Sequence, residues 1–150
     1  MLNANIMKQT VKQLILACLV LLFCYTAISK LMDVEEFRRQ LANQELPGWS
    51  KDALVWLIPL SEITVSILLL FRTTRMVGLY GSALLMLLFT GYIGLVVFDF
   101  FDRTPCSCGG VLRSMTFEWH LVFNLFFLAL SLLGIYMFHS QNKFAVTQKT

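Results

Sequence analysis

Charge is the scarcest ingredient of this 150-residue chain: Asp, Glu, Lys and Arg together make up 14% of it, against 57% hydrophobic residues. With a mean hydropathy of +0.71, that balance excludes an ordinary soluble domain and makes lipid the expected solvent. Proline occurs three times, cysteine four times and histidine twice. So few cysteines exclude a disulfide-rich secreted scaffold, and two histidines leave little for a His-based metal centre. The net charge of +3 is spread along the chain with no basic-aromatic patch, so nucleic acid is not an expected partner.

What is abundant is apolar sequence, gathered into four runs over residues 11–29, 53–71, 77–98 and 121–138. Each is close to the ~20 residues an α-helix needs to cross a ~30 Å hydrocarbon layer. None shows the polar-apolar alternation of a membrane β-barrel strand. The first run follows Lys8 and Lys12 as a signal peptide would, but it is long for a signal core and leads straight into Lys30, so a retained helix is expected. The fold class that results is an all-α membrane protein, a four-transmembrane-helix bundle. Residues 1–139 form its single domain, and 140–150 a short polar cytoplasmic tail.

Orientation follows from Lys and Arg in short flanks, which stay on the cytoplasmic side. Lys8 and Lys12, Arg72 and Arg75, and Lys143 and Lys149 fall in three segments that have no acidic residue. The other two connections are mixed in sign. An N-in, C-in arrangement is therefore expected. In the first outer loop, Leu31, Val34, Phe37 and Leu41 recur at three- and four-residue spacing, which predicts a short amphipathic interfacial helix over 33–44. Asp33 is its expected N-cap, with Glu36 three residues on, and Pro47-Gly48 its stop. A plain connector and a docking surface for a partner are both open readings of that helix.

The second outer loop holds Pro105-Cys106-Ser107-Cys108-Gly109-Gly110. Two cysteines one residue apart bridge only if the backbone bends, and Pro105 with the two glycines favours a bend. As a brace the ring is weak: about 1.6 kcal/mol for a ring of about three residues, against about 3 for one of about fifteen. A small strained disulfide is the more oxidising and labile kind, which suits electron exchange. Redox work by Cys106 and Cys108 is the leading expectation, with metal binding and a structural pair as alternatives. Cys18 and Cys24, six residues apart on one helix, cannot bridge each other. Cys18 is expected to be a packing residue, and Cys24, nearer the outer end, a third candidate for the thiol chemistry.

Glu62 is the one acid inside a hydrophobic run, where a charge costs at least about 2.5 to 3.5 kcal/mol. It is expected to face the bundle interior, as a proton acceptor, a ligand contact or a structural hydrogen-bonding group. His120 sits with Asn124 at the outer end of the fourth run and is a candidate for proton handling beside a thiol. Lys30 is expected to pair with Asp33 or Asp99. Trp49, Trp56, Trp119 and Tyr25 read as an aromatic belt.

Taken in order, Tyr25-Thr26-Ala27-Ile28-Ser29-Lys30-Leu31 with Phe37, Pro59-Leu60-Ser61-Glu62, Cys106-Ser107-Cys108-Gly109, and Trp119 with Asn124 resemble the DoxX-like superfamily of small four-helix membrane proteins, and within it the MauE-like redox-associated branch. That resemblance implies forming or handling disulfides outside the cytoplasm with a thioredoxin-like partner. Members of the branch often have an aromatic residue after the second cysteine, where this chain has Gly109. The architecture is also similar to DsbB and the vitamin K epoxide reductases, which pass electrons from thiols to a quinone through two cysteine pairs. This chain has one loop pair, so a quinone is a candidate cofactor rather than an assigned one.

The expectation is thus a thiol-disulfide oxidoreductase of the bacterial inner membrane, its Cys106-Cys108 loop facing the periplasm. Cys24, Glu62 and His120 are its further candidate residues, and no metal site is assigned. Two rivals are a Cu(I)-type metal-handling protein using Cys106 and Cys108 with Met115 or His120, and a non-catalytic assembly or anchor subunit docking through the 33–44 helix.

Overall fold

The computed structural model describes residues 2–43, 47–98 and 117–147, and the side chains of 6–43, 47–95, 98 and 119–140. Five helices are described: α1 (Leu2–Met32), α2 (Val34–Ala42), α3 (Gly48–Leu70), α4 (Arg75–Val97) and α5 (Phe117–Thr147). Four of them contain candidate membrane spans, Ile6–Met32, Gly48–Leu70, Arg75–Leu95 and Trp119–Ser140. The shortest has 21 residues, or about 32 Å at ~1.5 Å per residue, enough to cross the hydrocarbon layer.

Around the bundle the spanning helices follow the order α1, α3, α4, α5, and α5 closes back on α1. Neighbours are antiparallel, as short connections require. Lys12 of α1, the last turn of α3, Arg75 of α4 and Phe138 of α5 therefore meet at one end, the end where both termini lie. The opposite end, the loop end, holds α2, the C-terminus of α4 and the N-terminus of α5.

In lipid the helices gain little by hiding apolar surface from one another, so close packing and interhelical hydrogen bonds must hold them. Gly78 shows this at the α3–α4 contact: a Cβ there would lie 2.8 Å from the Leu69 backbone nitrogen. Across α4–α5, the Ser82 hydroxyl donates to Ser131 Oγ at 3.1 Å and Tyr80 Oη lies 2.9 Å from His139 Nε2. Ile15, Leu19, Phe23, Val65, Leu69, Leu79 and Met86 fill the interior. Leu14, Leu21, Leu57, Leu84, Leu88 and Phe126 are exposed on the outside, the surface of a protein solvated by acyl chains.

The α3–α4 turn satisfies backbone groups that a helix end leaves open. Thr74 Oγ1 donates to the Leu68 carbonyl at 3.0 Å, and Arg75 Nε to that of Leu69 at 3.3 Å. At the other end, α2 begins one residue after α1 stops. The expected cap forms: the Asp33 carboxylate accepts from the Glu36 backbone N–H at 3.0 Å. Lys51 Nζ closes the far end of α2 by donating to the Ala42 carbonyl at 2.7 Å. Phe37 and Leu41 are buried with Val55 against α3, while Glu35, Arg38 and Arg39 stay exposed.

Two expectations are corrected. Cys18 does not pack inside the bundle but lies exposed on its outer surface, because a helix apolar on every side gives no phase from which to pick the inner face. Lys30 does not pair with Asp33; its partner is Glu62 on the neighbouring helix, and the other expected partner, Asp99, lies outside the described residues.

Candidate functional site

The Lys30-Glu62 pair is built by helix geometry. Side chains on an α-helix lean toward that helix's own N-terminus. On α1 that lean carries Lys30 inward from the loop end, and on the antiparallel α3 it carries Glu62 outward to meet it. Lys30 Nζ stands 2.7 Å from Glu62 Oε1 and 3.5 Å from the Thr26 carbonyl. The Lys30 side chain is 10% exposed and that of Glu62 1%. The Phe37 ring lies 5.8 Å from the ammonium, so α2 covers the pair from the loop side.

An ion pair so deep is worth keeping only when its remaining hydrogen-bonding sites are met. Glu62 meets this in part. Thr26 stands beside the same carboxyl, but its hydroxyl donates to the Phe23 carbonyl at 3.2 Å. Oε2 is left buried with no hydrogen-bond partner among the described residues. Glu62 follows Pro59, also buried, by three residues, and proline supplies no N–H to the preceding turn.

His120 and Asn124 are also buried at the loop end, on one face of the first turns of α5. The contacts of Gly134 with Leu79 and of Ser131 with Ser82 set the α4–α5 register. Continued toward the loop end, that register carries Thr90 to the level of Asn124 and Ile93 to that of His120. The Phe138–Lys12 contact likewise brings His120 level with Lys30 on α1. Glu62, Lys30, Thr90, Asn124 and His120 are thus buried polar positions in the loop-end half of the bundle. A cost of that order in a membrane interior marks polar side chains as functional candidates.

Cys24 is half-buried on α1 and carries a free thiol, as does Cys18. Cys106 and Cys108, with Asp99 and Met115, lie outside the described residues, so neither the thiol pair nor the metal alternative that shares it has a described geometry. Among the described residues no group of three or more His, Cys, Asp or Glu is arranged to hold a metal.

Sequence reasoning found Glu62, Lys30 and His120 one at a time and missed that the first two are one unit. The signal was present: Glu62 is the lone acid of any apolar run, Lys30 closes the adjacent one, and their helices are antiparallel neighbours.

Four apolar spans, a short amphipathic helix folded over the loop end and a buried Lys-Glu pair beneath it define a small polytopic membrane protein with a polar interior on one side. The chain belongs to the MauE family: the family model described as methylamine utilisation protein MauE matches residues 8–137. That match takes in the second and third spans whole, most of the first and fourth, and the connection containing Cys106 and Cys108. Comparison with curated proteins and with solved structures found no match.

Proposed function

We propose that the protein is a thiol-disulfide redox protein of the bacterial inner membrane, with both termini in the cytoplasm and the Cys106-Cys108 connection facing the periplasm. The observation that carries this reading is the burial of Lys30, Glu62 and His120 at the end of the bundle where α4 and α5 are joined by the only segment with two cysteines one residue apart. Redox chemistry of a thiol pair moves protons as well as electrons. An interior carboxyl with an unpartnered oxygen and a buried imidazole at the same end are the groups such chemistry calls for.

In this reading a thiolate of a reduced thioredoxin-like partner attacks one sulfur of the Cys106-Cys108 disulfide. A mixed disulfide forms and the second cysteine leaves as a thiolate. A second partner thiolate then breaks the mixed bond, so the partner is oxidised to its disulfide and this pair is reduced by two electrons. Regeneration requires a two-electron acceptor, and a lipid-soluble quinone is the class the surroundings favour, as a substrate reaching the bundle from the bilayer. Glu62 and His120 would take up and pass on protons, and Cys24, in the loop-end half of α1, is the third candidate thiol.

Trapping tests the proposal. Cells carrying tagged Cys106→Ser or Cys108→Ser protein are quenched in acid, alkylated and resolved without reductant. The expected result is a reductant-sensitive adduct with an exported protein in one single variant, absent when both cysteines are serine. No adduct in either variant, together with unchanged thiol status of exported proteins, contradicts the proposal.

A further inference from the structure

The terminal end of the bundle carries a buried charge that thiol chemistry at the loop end does not use. Lys12 on α1 is 5% exposed, and its Nζ has no hydrogen-bond partner among the described residues. That nitrogen lies 5.1 Å from the centre of the Phe138 ring on α5. Arg75, the first residue of α4, places Cζ 6.0 Å from the same ring. Its guanidinium is held there by the last turn of α3, with Nε on the Leu69 carbonyl at 3.3 Å and Nη2 on that of Leu70 at 3.5 Å.

A ring face supplies only part of what a desolvated ammonium loses. A counter-ion is the ordinary remedy, and among the described residues none stands beside Lys12. Residues 1–32, 63–98 and 119–150 contain no Asp or Glu, so the turns of all four spans at the terminal end lack an acidic side chain. Lys8 adds charge one turn earlier on α1, and Arg72 adds more in the α3–α4 turn. An anion from outside the chain would compensate this charge.

We propose that the terminal end of the bundle, where Lys12 of α1 and Arg75 of α4 meet over Phe138 of α5, binds the phosphate of an anionic phospholipid headgroup, with the Lys12 side chain turning outward to donate to phosphate oxygens and Arg75 supplying the second positive charge. Basic pockets between membrane helices take lipid headgroups by this chemistry. A lipid fits better than a free phosphate because the outer faces beside these charges are apolar, with Val11, Leu14, Val77 and Tyr136 exposed to receive acyl chains. The site is independent of the thiol reading and survives its failure.

The test uses the full chain in neutral detergent, mixed with equal amounts of phosphatidylcholine and phosphatidylglycerol, with retained lipid counted by native mass spectrometry. The wild type is expected to retain phosphatidylglycerol in preference. Lys12→Met should lower that retention about fivefold, Lys12→Arg should restore it, and Arg38→Gln on the exposed face of α2 should leave it unchanged. Should Lys12→Met fail to fold, Lys12→Gln replaces it with the same expectation. Equal retention of the two lipids by wild type, or a Lys12 variant that retains phosphatidylglycerol fully, overturns the proposal. Displacement of the lipid by millimolar inorganic phosphate would reassign the site to free phosphate and overturn it as well.

Discussion

Removing the ammonium of Lys30 separates a coupled buried pair from two independent polar residues. Lys30→Met keeps most of the apolar stem that reaches toward α3 but takes away the group 2.7 Å from Glu62 Oε1. The carboxylate is 1% exposed and its other oxygen has no hydrogen-bond partner among the described residues, so only the neighbouring Thr26, and no second charge, is left to absorb the loss. Breaking a buried pair from one side costs about 3 to 5 kcal/mol. Protonation of Glu62 is the available relief, and it limits the loss without removing it. Adding Glu62→Gln to Lys30→Met removes the stranded charge, and the double variant should come back to within about 1 to 2 kcal/mol of wild type, as neutral replacements of buried pairs do. The assay is equilibrium unfolding of purified protein in mixed micelles, titrated with a denaturing detergent and followed by helical circular dichroism, over the full double-mutant cycle. A Lys30→Met cost under about 1 kcal/mol, or a double variant whose loss equals the sum of the singles, would refute the reasoning.

Three further outcomes follow from particular contacts. Gly78→Ala should destabilise by about 1 to 3 kcal/mol, because the added methyl meets backbone atoms of Leu68 and Leu69, whereas Gly91→Ala, with nothing within 4 Å, should be neutral or slightly stabilising in the same unfolding assay. Asp33→Ala removes the side-chain acceptor from the Glu36 N–H and should cost about 1 kcal/mol, read as faster hydrogen exchange confined to 34–42; unchanged exchange there would contradict the cap. Cys18, exposed toward lipid, should tolerate Cys18→Ala with no change in stability or in mixed-disulfide trapping, and a loss in either measurement would show that its thiol has a role.

Much of the architecture was written in hydropathy because lipid is an unforgiving solvent. A run of apolar residues long enough to cross must be a helix, since no other backbone satisfies its own polar groups there. The amphipathic α2 was legible for a different reason: Val34, Phe37 and Leu41 repeat on one face, and Asp33 and Glu36 mark its start. Helix ends were less legible. The expected first run begins at residue 11, yet α1 begins at Leu2, because Asn3, Asn5, Lys8 and Gln9 are poor solutes for lipid without being barred from a helix. Partners across the bundle were the least legible part. Lys30 and Glu62 are 32 residues apart, and only the packing order of α1 beside α3 selects Glu62 over the nearer Asp33. Lys12 read as a flanking charge that fixes orientation, and its burial against Phe138 emerges only once α5 closes on α1.

The redox state of Cys106 and Cys108 in living cells bears most directly on the central claim. In protein carrying Cys18→Ala and Cys24→Ala, acid quenching followed by a mass-tagging maleimide counts the free thiols of the loop pair. The account predicts no tag before reduction and two tags after it, with tagged protein accumulating when quinone synthesis is blocked. Two tags without reductant in growing cells, unchanged by that block, would contradict it.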